Sequence, residues 1–203
     1  MPTLFPTAPL RPAWPLPAAP GGFRGLLLKL ARRPDDLVPR VLAGVIGRSW
    51  TQRGLQCLPL YGIDVSETRR LLARHFPGAE WLPALHATTP AEFAEAIEMD
   101  DVVTLLREHL SIVDQDHLWL AHAVATGCLG ADHLWQDMDL TSRAMLSELM
   151  HGRFTSLAER NTQDMKWKKF LYKQLCEREQ IRVCKAPSCG VCTDYAVCFG
   201  PED

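Results

Sequence analysis

The sequence predicts an all-α fold: a single helical domain with an irregular cysteine-rich C-terminal metal-binding loop. Three observations predict it. From Phe23 onward apolar residues recur at helical spacing. Helix starts and stops are marked by Ser, Thr, Asp, Pro and Gly in the positions that caps require. No run alternates apolar and polar residues as a strand would, and no hairpin signal separates two such runs.

The elements follow in order. Residues 1–22 hold seven prolines and end in "PGG", which reads as a disordered or polyproline-like arm. "FRGLLLKLARR" is a short amphipathic helix, and "DDLVPRVLAGVIGRSW" continues helically with a bend expected at Pro39. "GLQCLPLYGID" is a connector rich in breakers, and "SETRRLLARHF" is a helix closed by "PG". The best-punctuated start is "TTPAEFAEAIEMDDVVTLLREHL", with Thr89 as N-cap, Pro90 at the first helical position and Glu92 completing a capping box. "SIVDQDHLWLAHAVATGCLG" follows, with Ser111 and Asp114 at the same box spacing. "TSRAMLSELMHG" and "TQDMKWKKFLYKQLCERE" are two further helices. "DHLW" occurs at 116–119 and 132–135, a four-residue echo without flanking similarity and therefore chance rather than a repeat.

Charge is unevenly spread. Residues 1–60 carry eight basic and two acidic side chains, residues 61–159 six basic and sixteen acidic, and residues 160–203 eight basic and six acidic. An acidic body between two basic ends argues against a nucleic-acid binder, which concentrates positive charge on one surface. No apolar run is long enough for a membrane span. Prolines interrupt any signal-peptide core at the start of the chain, so the reducing cytoplasm is expected and disulfides are not.

Four of the seven cysteines fall within fifteen residues, spaced Cys184-x4-Cys189-x2-Cys192-x5-Cys198. Thiolates are soft ligands for zinc, copper(I) or iron–sulfur clusters. A zinc staple usually pairs two CxxC knuckles, whereas one CxxC flanked by two more cysteines resembles the compact runs that wrap a cluster. The spacing favours iron–sulfur and leaves zinc or free thiols as alternatives. Cys57, Cys128 and Cys176 read as small buried hydrophobes. In the preceding helix Trp167, Phe170, Leu171 and Leu175 form an apolar stripe, and Lys166, Lys169 and Lys173 a narrow basic one. With Arg182 and Lys185, that basic stripe suits a docked anion or acidic partner. If "DHLWQDM" is helical, His133 and Asp137 are i,i+4 neighbours able to pair.

"HLWQDM", "MKWKKFLYKQLC" and "CKAPSCGVCTDYAVCFGPED" together resemble the NifQ family of nitrogen-fixation proteins. The likeness runs from about residue 116 to the C-terminus and is specific in its motifs. Residues 23–115 agree in general character only, and the arm is not assigned to the family. The resemblance implies a carrier rather than a turnover enzyme. Such a carrier would hold a molybdenum–iron–sulfur cluster on Cys184, Cys189, Cys192 and Cys198. It would take molybdate as its metal source and donate molybdenum to nitrogenase cofactor assembly proteins. His133 matches a family stretch but is given no ligand role. The chain then divides into an arm (1–22), a helical domain (23–183) and a cluster-binding tail (184–203). A zinc-stapled interaction module and a small iron–sulfur electron-transfer protein are the competing functions.

Overall fold

The computed structural model describes residues 21–83, 87–96, 98–180 and 195–202. Among these the chain is all-α, with eleven helices and a single isolated bridge between Cys57 and Thr88. The helices are α1 (Gly22–Leu30), α2 (Leu37–Arg53), α3 (Val65–His75), α4 (Ala91–Glu95), α5 (Glu98–Glu108) and α6 (Gln115–Cys128). They continue as α7 (Leu134–Asp137), α8 (Arg143–Arg153), α9 (Thr155–Ala158), α10 (Trp167–Arg178) and α11 (Tyr195–Phe199). The Pro-rich arm, apart from its last two residues, lies outside the described residues.

α6 is the hub. Trp119, Leu120, Ala121 and every residue from Ala123 to Cys128 are buried, the pattern of a helix apolar on all sides. α2 and α5 pack on it, and α7 crosses its C-terminal end. α2 can lie so close to its neighbours because it carries two glycines where side chains will not fit. A Cβ on Gly44 would stand 2.6 Å from the Met138 carbonyl oxygen, and one on Gly47 2.6 Å from the Arg24 nitrogen. α1 closes this side through Phe23, whose ring meets Trp50 edge-on at 5.9 Å.

Four local expectations are corrected. Pro39 does not bend α2; it sits in the first turn, where no backbone donor is needed. The helix expected from Thr89 starts one residue later, with Pro90 in the N-cap position, and breaks at Ala96 (φ −92°, ψ 65°). The two pieces serve different neighbours. Phe93 on α4 packs against Tyr61 and beneath Arg53, which also pairs with Glu92. α5 turns Met99, Val102, Leu105 and Leu106 into the core. Tertiary packing therefore overrides a continuous local pattern. Asp114, not Ser111, caps α6, accepting from the His117 N–H at 2.9 Å, while Ser111 bonds Thr155 at the start of α9. α10 begins at Trp167 rather than near Thr162, because an Asn161–Met165 turn occupies the intervening residues. Asn161 Oδ1 accepts from Met165 N (2.8 Å), and its Nδ2 donates to the Met165 carbonyl (2.9 Å).

Candidate metal centre

Of the four predicted ligands, Cys198 lies among the described residues. Cys184, Cys189 and Cys192 lie outside them, as do Arg182 and Lys185. The end of the tail is helical rather than irregular: α11 carries Cys198 one residue before its end, and Tyr195 stacks on Phe199 with ring centroids 4.5 Å apart. Cys198 is half-buried, and with Phe199 it packs against the hydrophobic core.

Two contacts fasten this helix to the body. The Lys166 N–H, just ahead of α10, donates to the Cys198 carbonyl at 2.8 Å, and Lys166 Nζ reaches the Ala196 carbonyl at 3.5 Å. Four residues after Cys198, the Glu202 side chain is only 3% exposed. Its Oε2 lies 3.5 Å from Arg143 Nε and its Oε1 3.8 Å from His133 Nδ1. Arg143 is itself held bidentately by Asp164, at 2.7 and 2.8 Å. The contacts to Glu202 are ion pairs without hydrogen-bond geometry, and both Glu202 Oε2 and Arg143 Nε are buried without a hydrogen-bond acceptor or donor opposite them. The tail is thus clamped electrostatically onto the N-terminal ends of α7 and α8.

His133 and Asp137 do not pair. His133 precedes α7 in an extended conformation and its N–H donates to Gln136 Oε1 (3.1 Å). Asp137 points inward. Its side chain is 3% exposed and accepts from Arg48 Nη2 (3.0 Å), from the Asp132 N–H (3.0 Å) and from Lys168 Nζ, which also bonds the Gly130 carbonyl (2.8 Å). Gly130 leaves room for this carboxylate, since a Cβ there would collide with it. A small recess of about 220 Å³ opens beside Arg48, Asp132 and Asp137. Cys128 lies near this charge cluster but is fully buried, and burial pushes its thiol up to about 12. Cys57 and Cys176 are half-buried rather than buried.

The apolar stripe of α10 is as expected, with Trp167, Phe170 and Leu171 buried. Of the basic stripe, Lys166 is engaged by the tail, Lys173 pairs with Glu177 at 3.6 Å, and Lys169 is exposed. Sequence reasoning overlooked Lys168, Arg48, Arg143 and Glu202. Only Glu202 carried a usable signal, as the single charged residue of the "FGPE" motif close behind Cys198.

These features define a class: a helical domain that presents a thiol-rich segment on a charged C-terminal anchor. The donor set suits a soft metal or a cluster, since four thiols share one short segment and the described one is neither sealed in the core nor fully exposed. The family model for NifQ matches residues 41–200. The Azotobacter vinelandii protein NifQ is 40% identical over 162 residues, spanning 73% of this chain and 82% of its own length. Protein NifQ of Rhodobacter capsulatus is 32% identical over 70% of this chain and 76% of its own. A NifQ homolog from Sinorhizobium fredii is 36% identical over 68% and 60%. No solved structure matches. The chain belongs to the NifQ family of nitrogen-fixation proteins.

Proposed function

We propose that this protein is a metal carrier that holds a molybdenum–iron–sulfur cluster on Cys184, Cys189, Cys192 and Cys198. From it molybdenum passes to the proteins that assemble the iron–molybdenum cofactor of nitrogenase. The observation that carries the reading is the Cx4CxxCx5C run in a NifQ-family chain whose last cysteine is anchored to the folded body by Lys166 and Glu202. The protein acts in the cytoplasm, with molybdate as the metal source, and it is a donor rather than a turnover enzyme. No described helix is long and apolar enough to cross a membrane.

The chain's own residues divide the work between them. The thiolates supply soft ligands, and an iron–sulfur cluster supplies inorganic sulfide for a second metal. The exposed Lys169, one turn along α10 from the Lys166 that holds α11, offers a positive charge to molybdate or to an acidic acceptor. The Glu202 clamp holds Cys198 in place whether or not the other three thiols are occupied. In this division the arm (1–22) is a spacer, residues 23–183 the body and residues 184–203 the cluster-binding tail.

A Cys192→Ala variant tests the reading. It is expected to keep its helical circular dichroism and to lose both bound iron and transfer of molybdenum to an acceptor. Complete unfolding of that variant makes the tail a structural staple and removes the support for a donor role.

A further inference from the structure

A second polar feature lies at the end of α8 opposite to the Arg143 that meets Glu202. The connector between α1 and α2, the end of α3, the start of α6 and the end of α8 enclose an open cleft of about 800 Å³. It carries four arginines, Arg32, Arg33, Arg74 and Arg153, against two carboxylates, Asp36 and Asp116. Arg74 is committed to Asp116 through two bonds, at 2.6 and 3.1 Å. Arg33 lies 3.7 Å from Asp36, with both side chains largely in solvent. That leaves Arg32 and Arg153 with no carboxylate partner among the described residues. Arg153 Nε has no acceptor, and Arg153 Nη1 meets only His117 Nε2, at 3.5 Å. His117 Nδ1 is bonded to Asp114 Oδ1 at 2.6 Å, and an imidazole in either protonation state offers Arg153 no negative counter-charge.

Backbone adds to the same sign. The seventeen-residue helix α2 starts in this cleft, and its N-cap residue Asp36 makes no capping bond from its side chain. The amides and the dipole end of its first turn favour an anion there. Leu37, Val38 and Pro39 give the cleft one apolar wall. Its volume lies within the range of small-molecule pockets and far exceeds what a bare tetrahedral ion fills. Guanidinium forks match phosphate oxygens two at a time.

We infer that this cleft binds a phosphate-bearing small molecule, with the phosphate between Arg32, Arg153 and the start of α2, and the less polar body against Leu37–Pro39. The site is separate from the Glu202 clamp. Arg153 and the Arg143 that clamps Glu202 sit at opposite ends of α8, about 15 Å apart along its axis.

Isothermal titration of the full chain at low salt with ATP, pyrophosphate, inorganic phosphate and molybdate tests the inference, alongside Arg32→Ala and Arg153→Gln. Arg32 is exposed, so its variant keeps the fold if Arg153→Gln does not. Saturable binding of ATP or pyrophosphate is expected, weakened roughly tenfold or more by Arg32→Ala and further by added salt. The inference is overturned if no phosphate probe saturates, if Arg32→Ala leaves binding unchanged, or if molybdate binds where the phosphate probes do not. None of these outcomes depends on metal in the tail, so this failure and the failure of the carrier reading are separately visible.

Discussion

Replacing Glu202 with glutamine preserves the shape of the clamp and removes its charge. The gross attraction across 3.5 Å to Arg143 is about 5 kcal/mol at an effective dielectric constant near 20. Arg143 is 27% exposed and His133 31%, so solvent screens the pair and only part of that survives. Exposed pairs contribute about 0–1 kcal/mol, and breaking a buried one costs about 3–5. This half-buried case falls near 2 kcal/mol, most of it from Arg143, since His133 adds to it only when protonated. Such a loss shifts the ratio of docked to released tail roughly thirtyfold. Hydrogen exchange reads this directly at the Lys166 and Gly200 amides, which bond the Cys198 and Ala196 carbonyls in the docked form. Protection there is expected to fall by more than tenfold in Glu202→Gln while the amides of α6 keep theirs. Arg143→Gln reproduces the effect, and the double variant adds little to it. Unchanged protection at both amides in Glu202→Gln refutes the clamp.

Three further outcomes follow from the same geometry. Asp137→Ala strands Arg48 and Lys168 without their shared carboxylate and is expected to cost about 3–5 kcal/mol in urea unfolding; a cost below about 1 kcal/mol contradicts the buried charge cluster. Burial holds His75 and His122 below the usual histidine range, so the folded state binds fewer protons than the unfolded one. Their contribution to stability is complete above about pH 6.5 and is lost as pH falls through the folded values, which His122→Gln makes shallower in a denaturant-midpoint profile. Cys128, with its thiol raised to about 12, is expected to resist alkylation in the native apo protein at mildly alkaline pH while Cys198 reacts, as mapped by peptide mass.

What the sequence made legible was what periodicity and punctuation carry. The apolar faces of α5, α6 and α10 repeat at helical spacing, and the helices form where that spacing lies. Helix ends were less legible because caps compete. Thr89 and Ser111 both have the chemistry of an N-cap, yet Pro90 and Asp114 take that place once Phe93 and Trp119 are docked. The thiol run was visible because four cysteines in fifteen residues need no tertiary context to be noticed. The charges that support it were not, since Arg143 and Glu202 are 59 residues apart in the numbering and meet only through the fold. Asp137 is a partner for His133 only if one helix contains both, and the extended conformation at His133 separates them.

In the proposed function the tail carries a cluster containing molybdenum. Iron, molybdenum and zinc content, measured on one anaerobic preparation of the full chain from cells supplied with molybdate, tests it most directly. Several irons per chain together with molybdenum are expected, both lost in Cys198→Ala. Stoichiometric zinc with neither iron nor molybdenum contradicts it.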